Sequence, residues 1–535
     1  MANKPEHRIV ILGGGFGGVF TARHLRQRAG SHIHVELISR NNFFVFQPLL
    51  PEVAGGGVHP SDAVSPLRLY LPSVKVRIAE VRKIDFTTNT VHVTAGRDRE
   101  IAIVHYDQLV IALGQEVDLS RTPGLAERAL VMKDIVDAFK VRNQVLGCLE
   151  EADQTIDPRR KRRLLTFVVI GGGFTGVETV GEVQELIRKA LRHYPGIRLD
   201  EIRIVLIQHG ARILPELPEH LATFAADALR RRRIEILLKT GVRAVGPTGI
   251  EIDGDLVLDA ETIIAAIGNA PSPLMKSMQL PLQHGRIVVD QSLRVAGLQN
   301  VWALGDNALI PLSGDDSAQA PPLAQFAFRE AKVLARNILA SIQGHPLAAF
   351  EYKSLGTMAS LGAHSGVAEI LGVRVTGFLA WAAWKLLYLS LLPGWPMRIR
   401  VAIDWSLNLV FSRSIVEIRA AGSESRAIRL LAGDMVLEPG FEPVGVYVVT
   451  SGTFELSCPT TDVDEANCPS SRLGPGDCFG LSLDGKPPAE PQRVRACEDS
   501  TAYFIDRADL KRLAMVTALL ERRAQTAVQV GPEST

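Results

Sequence analysis

The sequence contains the same short pattern twice: an apolar run, three closely spaced glycines, and then a segment with helical character. In the first copy a predicted strand, 8–12, which is apolar from residue 9 onward, precedes Gly13, Gly15 and Gly18, and residues 19–25 continue as a predicted helix. Glycine permits a tight turn, lets a ligand approach the backbone and lets the helix pack on the strand, while the helix N-terminus offers free N–H groups to an anion. The turn therefore predicts a dinucleotide site, against the alternative of an ordinary glycine-rich turn.

The second copy has Gly171, Gly173 and Gly176 at the same spacing, after the apolar residues 164–170. A single unit suits any dehydrogenase, whereas two units suit a flavoprotein that holds FAD in one domain and a nicotinamide nucleotide in the next. The repeat therefore predicts an α/β fold with two Rossmann-type nucleotide-binding domains, one for FAD and one for NAD(P)H.

Composition and charge narrow the class of protein. With 535 residues, 46% of them hydrophobic, the chain is long enough for about three to four globular domains. A formal net charge of +1 argues against a nucleic-acid partner. The first predicted strand begins close to Met1, so we expect no secretory leader. The five cysteines are too few and too widely spaced to predict a metal site or a disulfide framework, and they favour a reducing cytosol.

The second strand of a nucleotide-binding unit usually ends in an acidic residue that accepts the ribose hydroxyls. In the first unit this end is Ser39, followed by Arg40, and in the second unit it is Gln208. Both Ser39 and Gln208 can hydrogen-bond a ribose, but Gln208 would not repel the 2′-phosphate of NADPH. Binding of NADH and of NADPH therefore both stay open.

Three motifs in residues 41–68 resemble the segment that follows the second strand in type II NADH:quinone oxidoreductases: NNF at 41–43, FQPLL at 46–50 and PLR at 66–68. In that family the segment runs beside the isoalloxazine ring of FAD. The resemblance implies that Gln47 contacts the flavin and the quinone.

Three later turns are similar to those that meet the cofactors in this family. Gly114 ends the run YDQLVIALG, where the family's chain passes near the flavin, and Gly268 ends a run that returns under the nicotinamide. In NVWALGDNALI, Gly305 precedes Asp306, which the resemblance assigns to the ribityl chain of FAD. The FAD domain is therefore expected to be discontinuous in sequence.

The segment 321–340 resembles the helix that meets the flavin edge in type II enzymes. Gln325 fits the family pattern, whereas Arg329 and Glu330 stand where glutamines near the quinone are expected. The resemblance implies a quinone site formed by Gln47, Gln325, Phe328 and Arg329. The departure at Arg329 and Glu330 leaves a non-quinone acceptor open.

Glu178 follows Gly176 at the start of the second unit's predicted helix. The matching glutamate in the family is implicated in nucleotide binding and proton handling, so we expect the Glu178 carboxylate to face the nicotinamide and the flavin as the catalytic acid. The helix dipole favours its ionisation and burial opposes it. The alternative is a carboxylate that merely caps the helix.

Residues 350–415 resemble the family's carboxy-terminal membrane-anchoring region. The apolar stretch 378–392 is shorter than the ~20 residues needed to span a bilayer, so residues 378–400 are expected to lie at the membrane surface. The predicted anchors are Trp381, Trp384, Lys385, Tyr388, Trp395, Arg398 and Arg400. The alternatives for this stretch are a buried core helix or a dimer interface, so a homodimer stays open.

Residues 419–535 alternate short β-type runs with glycine turns and resemble a cyclic-nucleotide-binding jelly roll. The expected turns are at Gly440, Gly452, Gly476-Asp477 and Phe479-Gly480. Leu481 stands where that family has its ribose-binding glutamate, and Glu490 stands where it has its phosphate-binding arginine. A carboxylate at this position would repel a cyclic phosphate. A regulatory or assembly module is therefore favoured over a cyclic-nucleotide receptor.

The predicted domains are the first part of the FAD-binding domain (1–120), the NAD(P)H-binding domain (121–289), the second part of the FAD-binding domain (290–345), the membrane-anchoring region (346–418) and the jelly roll (419–535). Within residues 1–418 the single cysteine is Cys148, which excludes the paired-thiol relays of disulfide and sulfide:quinone reductases.

Together the resemblance and the motifs predict a peripheral enzyme on the cytoplasmic face of the cell inner membrane. It would pass a hydride from NADH to FAD and two electrons to a quinone, without proton pumping. The alternatives are a flavin-holding redox sensor or scaffold that signals through the C-terminal domain, and an NAD(P)H-dependent reductase with a non-quinone acceptor.

Overall fold

The computed structural model describes residues 6–96, 99–246, 249–254, 256–312, 319–352, 356–362, 364–418, 425–439, 443–457, 470–482, 486–488, 492–507 and 509–510. The chain forms two compact units. Unit 1 comprises Met1–Ile156, Lys161–Arg243 and Ala260–Val416. Unit 2 comprises Asp157–Arg160, Ala244–Asp259 and Glu417–Thr535.

The strands of the described residues are β1 (His7–Leu12), β2 (Ile33–Ser39), β3 (Phe43–Val45), β4 (Val64–Pro66), β5 (Lys75–Asp85), β6 (Thr90–Ala95), β7 (Glu100–His105), β8 (Gln108–Ile111), β9 (Glu116–Val117), β10 (Leu130–Val131), β11 (Thr166–Ile170), β12 (Arg203–Gln208), β13 (Ile234–Leu238), β14 (Val242–Gly246), β15 (Gly249–Ile252), β16 (Leu256–Leu258), β17 (Thr262–Ala265), β18 (Asn269–Ala270), β19 (Leu282–Gln283), β20 (Arg286–Val288), β21 (Val301–Ala303), β22 (Ala308–Leu309), β23 (Gly356–Ser360), β24 (Gly366–Ile370), β25 (Val373–Gly377), β26 (Arg426–Leu430), β27 (Met435–Leu437), β28 (Gly445–Ser451), β29 (Phe454–Ser457), β30 (Ser470–Leu473), β31 (Cys478–Gly480), β32 (Arg493–Ala496) and β33 (Ser500–Asp506).

The α-helices of the described residues are α1 (Phe16–Arg28), α2 (Leu50–Ala54), α3 (Leu67–Tyr70), α4 (Leu125–Arg128), α5 (Ile135–Gln154), α6 (Pro158–Leu164), α7 (Phe174–Ala190), α8 (Glu219–Arg231), α9 (Pro273–Ser277), α10 (Ala324–Ile342), α11 (Phe378–Leu391) and α12 (Trp395–Val410). Short 3-10 helices span Gln47–Leu49, Pro60–Asp62, Leu191–His193 and Gly305–Asn307.

The first sheet of unit 1 is centred on β1 and has the strand order β21-β8-β1-β2-β5-β6-β7. From Ile9 onward β1 is fully buried, as expected of an apolar parallel strand that is covered on both faces. Leu12 pairs in parallel register with Ile38 on one side and Ile111 on the other. The carboxyl ends of these strands therefore meet at one edge, where Gly13 begins the turn into α1. The parallel part has the Rossmann strand order.

The second sheet of unit 1 consists of five parallel strands in the order β10-β17-β11-β12-β13. Ile170 at the end of β11 pairs with Ile207 and Ala265 of its two neighbours. The carboxyl edge of this sheet therefore carries Gly171 and Gln208 together, as the carboxyl edge of the first sheet carries Gly13 and Ser39. The predicted mixed α/β fold with Rossmann-type sheets is confirmed.

The remainder of unit 1 includes the antiparallel sheet β23-β24-β25 and the helices α11 and α12. In the described part of the chain, we find no helix with the length and apolar character required to cross a membrane.

Part of the predicted anchor set of α11 faces inward. Trp384 is 1% exposed and donates its indole N–H to Glu178, and Lys385 forms an ion pair with Glu52. The prediction that Trp384 and Lys385 are membrane anchors is therefore wrong, because both side chains serve buried carboxylates from distant segments. Other apolar residues of α11 and α12 are exposed, among them Phe378, Leu379, Leu386, Trp395, Ile399, Ile403, Leu407 and Leu409.

Unit 2 contains two four-stranded antiparallel sheets, β26-β33-β28-β31 and β27-β32-β29-β30. A core that includes Val449, Phe454 and Phe479 is buried in this unit. Leu481 is also buried and packs with Val446. Gly440 and Glu490 lie outside the described residues, and the role predicted for Glu490 stays a prediction.

Candidate functional site

The first glycine turn is tightly packed at two positions and open at one. Gly13 has a φ of +113°, and a Cβ there would lie 2.1 Å from the Ala112 carbonyl oxygen. A Cβ at Gly18 would lie 2.0 Å from the Gly13 oxygen, so α1 packs directly on the turn. At Gly15, the N-cap of α1, no described atom lies within 4 Å of such a Cβ and no described side chain caps the helix. The N-terminus of α1 therefore has room for an anion.

The second turn repeats this geometry. Gly171 has a φ of +111°, and a Cβ at Gly176 would lie 1.8 Å from the Gly171 oxygen. At Gly173, the N-cap of α7, no described atom lies within 4 Å of such a Cβ. In the same unit the Gly268 carbonyl accepts the Asp118 N–H at 2.7 Å. Two turns with the same packed and open positions fit one dinucleotide pyrophosphate each.

The residues that end β2 and β12 lie against these turns. Ser39 is 6% exposed, and a Cβ at Gly14 would lie 2.3 Å from its Oγ. Gln208 Oε1 accepts a hydrogen bond from Gly172 N at 2.9 Å. Arg40, next to Ser39, is exposed. Ser39 and Gln208 are thus neutral groups at the two positions where a carboxylate would bind a ribose.

Two side chains whose roles the sequence reasoning missed fix the backbone at Gly114 and Gly305. Asn307 Oδ1 accepts the Gly114 N–H at 2.9 Å, while its Nδ2 donates to the Ile111 oxygen at 3.0 Å. Glu330 Oε2 accepts the Gly305 N–H at 2.8 Å. Burial raises the pKa of Glu330 to about 7. The family pattern has a glutamine at this position, so the glutamate in this sequence was the signal that the residue has a different role.

Asp306 carries a carboxylate that lacks a hydrogen-bond donor among the described residues. Burial raises the pKa of its carboxyl group, while the nearby charges of Lys133 and Arg286 act in the opposite direction. Asp306 also lines the cavity described next. An unpartnered acceptor in such a position fits a ligand hydroxyl group.

A cavity of about 550 Å³ in unit 1 brings six of the predicted site residues together. These residues are Gln47, Glu178, Asp306, Gln325, Phe328 and Arg329. Phe16 and Phe174, the first residues of α1 and α7, also line it, so both glycine turns lead to the same cavity. The predicted glycines, Ser39, Arg40 and Gln208 are not part of its wall. A concave, largely apolar site with few polar groups is typical of a cofactor or substrate pocket.

Glu178 is a buried acid in the wall of this cavity. Its Oε1 accepts a hydrogen bond from Ser360 N at 2.9 Å and another from Trp384 Nε1 at 3.0 Å. Burial raises the pKa of Glu178 to about 8, although both hydrogen bonds act in the opposite direction. Its hydrogen bonds run to β23 and α11 and not to the first turn of α7, so the alternative of a helix cap is wrong.

The residues predicted to contact a quinone lie along α10 and the segment after β3. Phe328 packs edge to face against Phe20, with ring centroids 4.5 Å apart. Arg329 Nη1 donates to the Gln325 carbonyl oxygen at 2.8 Å. Gln47 Nε2 donates to a main-chain carbonyl at 3.4 Å. The four side chains thus border the same cavity as Glu178.

A buried ion pair behind the cavity was missed by the sequence reasoning. Glu52 is 2% exposed and accepts hydrogen bonds from Lys385 Nζ and from Trp405 Nε1, the latter at 2.5 Å. Lys385 Nζ also lies 4.0 Å from the centroid of the Trp405 ring. The negative charge of Glu52 contributes to the raised pKa of Glu178. No local pattern marks this pair, because 333 residues separate its members.

Cys148 lies on α5, as predicted, and is 3% exposed. Burial raises the pKa of its thiol to about 12, so the thiol stays protonated and unreactive at neutral pH. Residues 1–418 contain no second cysteine, and a thiol relay is therefore excluded there.

Comparison with known families covers most of the chain. Residues 7–331 match the pyridine nucleotide-disulphide oxidoreductase family, which is more than half of the sequence. Residues 354–414 match the NDH2 C-terminal domain, and residues 427–516 match the cyclic nucleotide-binding domain.

Individual relatives agree with these matches. The type II NADH:quinone oxidoreductase NdhA of Mycobacterium tuberculosis is 32% identical, over 76% of this chain and 87% of the relative. The demethylphylloquinone reductase NdbB of Synechocystis is 32% identical, over 74% of this chain and 95% of the relative. The structure of NDH2 from Plasmodium falciparum in complex with NADH superposes with a TM-score of 0.69 over 77% of this chain and all of that one, and at 23% identity it supports the fold. The chain belongs to the type II NADH:quinone oxidoreductases.

Proposed function

We propose that this chain oxidises NADH with bound FAD and reduces a quinone at the cavity of unit 1. The observation that carries the proposal is that Phe16 and Phe174, which begin the helices after the two glycine turns, line one cavity. Membership of the family confirms FAD, NADH and a quinone as the expected cofactors and acceptor. NADPH stays open because Gln208 carries no charge that would repel its 2′-phosphate.

We assign the binding residues by the two turns and the cavity. FAD is assigned to Gly13, Gly15, Gly18, Ser39, Arg40, Gln47, Gly114, Gly305, Asp306 and Gln325. The nicotinamide nucleotide is assigned to Gly171, Gly173, Gly176, Glu178, Gln208 and Gly268. The quinone is assigned to Gln47, Gln325, Phe328 and Arg329. The room at Gly15 and Gly173 and the unpartnered Asp306 carboxylate support these assignments.

Glu178 is the proposed proton donor of the quinone reaction. When bound, FAD supplies hydride acceptance from NADH and two-electron transfer to a quinone. Conversion of a quinone to a quinol also takes up two protons. Glu178 holds a proton at neutral pH because its pKa is raised to about 8, and it lines the cavity. The hydrogen bonds from Ser360 and Trp384 stabilise the carboxylate that remains after proton transfer.

The proposed domain order keeps the boundaries predicted from the sequence. Residues 1–120 and 290–345 form the FAD-binding domain, and residues 121–289 form the NAD(P)H-binding domain between its two parts. Residues 346–418 form the membrane-anchoring region. Residues 419–535 form a jelly roll with a regulatory or assembly role, which the two antiparallel sheets of unit 2 support.

Peripheral attachment to the cytoplasmic face of the inner membrane, through residues 378–400, is part of the proposal. Leu386, Trp395 and Ile399 are 69%, 73% and 56% exposed, which is unusual for large apolar side chains. Leu387 and Leu391 of α11 are partly exposed and also line the cavity. A lipid-soluble quinone could then enter from the acyl chains beside α11.

Two matched alanine variants test the proposed division of the site. In purified full-length protein, Gly15→Ala is expected to lose FAD, whereas Gly173→Ala should keep FAD but lose reduction of the flavin by NADH. Both alanines have space in the folded chain, so the losses would report on the ligands. Steady-state oxidation of NADH with a soluble quinone separates the enzyme from a flavin-holding sensor. A wild-type protein that binds FAD yet shows no NADH oxidation with quinone would overturn the proposal.

A further inference from the structure

Arg329 is a cation in the cavity wall without a counter-charge among the described residues. Its Nη1 donates to the Gln325 carbonyl oxygen at 2.8 Å, and its Cζ lies 4.2 Å from the centroid of the Tyr352 ring. These contacts hold the side chain in place but leave most of its N–H donors unused, since a guanidinium group carries five. In the part of the chain that the structure describes, no carboxylate pairs with it.

The other charged groups of the cavity do not neutralise Arg329. Asp306 forms no ion pair with Arg329 among the described residues, and the cations whose charges act on the pKa of Asp306 are Lys133 and Arg286. Glu178 has a pKa raised to about 8 by burial, so it is mostly uncharged at neutral pH. The end of the cavity at Arg329 is therefore positive and bordered by apolar groups such as Phe328. In such surroundings a hydrogen bond to an anionic oxygen is stronger than the same bond in water.

We propose that Arg329 determines acceptor specificity, binding the quinone through a ring oxygen that carries negative charge, so that the site prefers quinones with an ionised ring hydroxyl over otherwise identical neutral quinones. This inference rests on the proposed function, because it assumes that the quinone occupies this cavity. An ionised 2-hydroxyquinone shares its charge between oxygens on the ring, and its hydroxyl oxygen lies next to a carbonyl oxygen. The planar guanidinium group can donate hydrogen bonds to both oxygens at once, and it carries a positive charge. A glutamine at this position has no charge with which to bind the anion.

Direct binding to the oxidised holoenzyme, without NADH, tests the inference. The two probes are 2-hydroxy-1,4-naphthoquinone, which is ionised at neutral pH, and its uncharged methyl ether, 2-methoxy-1,4-naphthoquinone. Titration calorimetry of the wild type and Arg329→Gln is expected to show about a tenfold or greater loss of affinity for the anion and less than a twofold change for the ether. Arg336→Gln, an exposed position on the same helix, is the matched control and should change neither.

A second variant separates the charge from the planar guanidinium group. Arg329→Lys keeps the positive charge but loses the two-point contact, so its preference for the anion should lie between those of the wild type and Arg329→Gln. Equal losses of both probes in Arg329→Gln, an unchanged preference, or an Arg329→Lys protein that behaves like Arg329→Gln would each overturn the inference. Reduction of ferricyanide by NADH is measured in parallel. Its absence in the wild type would count against the proposed function and not against the role of Arg329.

Discussion

Glu178 is the single residue whose ionisation we expect to govern the pH dependence of quinone reduction. Its pKa is raised to about 8 by burial, so the protonated donor is present below that pH and is lost above it. Quinone turnover should therefore be level near neutral pH and fall above pH 8. Glu178→Gln removes the proton and should lower kcat with quinone about 100-fold and abolish this fall, while the reduction of FAD by NADH changes less.

Stopped-flow measurement of the two half-reactions from pH 6 to 9 checks this expectation. Glu219→Gln, at an exposed position of α8, is the control for loss of a carboxylate.

The pH dependence of thermal stability tests the raised pKa of Glu178 independently. The folded chain keeps a proton that the unfolded chain releases above pH 4.5, so this contribution to stability is full below pH 4.5 and is lost as the pH rises through 8. The Tm of the wild type should fall relative to Glu178→Gln over that interval. Parallel Tm curves would contradict a raised pKa.

Gln208 is the residue that we expect to permit NADPH. Its Oε1 accepts the Gly172 N–H at 2.9 Å, which a glutamate can also do. Gln208→Glu keeps this contact and adds a negative charge beside the ribose. We expect kcat/KM for NADPH to fall about tenfold or more, with NADH little affected. Gln283→Glu, at an exposed position, is the control. Equal effects on both nucleotides would show that Gln208 does not distinguish them.

At the scale of single elements, α11 and α12 expose an apolar surface that we expect to bind the membrane. Replacing Leu386, Ile399 and Ile403 by serine should release the protein from phospholipid vesicles in a sedimentation assay, since large exposed apolar side chains drive interfacial binding. FAD content and NADH:ferricyanide activity should stay unchanged. The control replaces Ile101 and Ile103 of β7, which are also exposed, by serine, and it should stay bound to the vesicles.

If the triple variant sediments with the vesicles as the wild type does, this surface does not bind the membrane. Deletion of residues 378–396 is a poorer test. It would also remove the Trp384 N–H from Glu178 and the ammonium group of Lys385 from Glu52.

The elements also show which structural features could be predicted from the sequence. The two turns with their strands and helices were predictable because strand, glycines and helix follow one another within about 20 residues. The inward direction of Trp384 and Lys385 was not predictable. An apolar helix with tryptophans and a lysine looks the same whether these residues face lipid or buried carboxylates. The deciding partner of Trp384, Glu178, is 206 residues away in sequence.

On the scale of the whole molecule, we expect unit 1 to hold the cofactors without most of unit 2. Truncation after residue 418 leaves the core of unit 1 complete, so FAD content and quinone activity should be retained. The truncated chain keeps Ala244–Asp259, which belongs to unit 2, and it loses the Arg429 partner of Asp259. Its Tm should therefore be lower by a few degrees.

Full-length Arg429→Ala is the matched variant for that ion pair alone, and it should lower the Tm less than the truncation does, because an ion pair with an exposed partner contributes little. Loss of FAD on truncation would show that the cofactor site depends on unit 2. The double-sheet pattern of unit 2 was readable from its strands and turns. The sequence did not show that Ala244–Asp259 belongs to unit 2, because these residues precede the main part of that unit by more than 150 positions.

Helix α11 links the solvent around the protein to the proton chemistry inside it. Trp384 is buried against Glu178, and Leu386, two residues further along the same helix, is 69% exposed. A detergent that displaces α11 during extraction would remove the indole N–H, which lowers the pKa of Glu178, and would also admit water to the carboxylate, which weakens the burial that raises it. Burial is the larger of the two causes, so the pKa of Glu178 should fall towards its ordinary value. The choice of detergent is therefore an experimental variable of the pH profile, and profiles from micelles, nanodiscs and native vesicles should be compared only after the position of this helix has been checked in each.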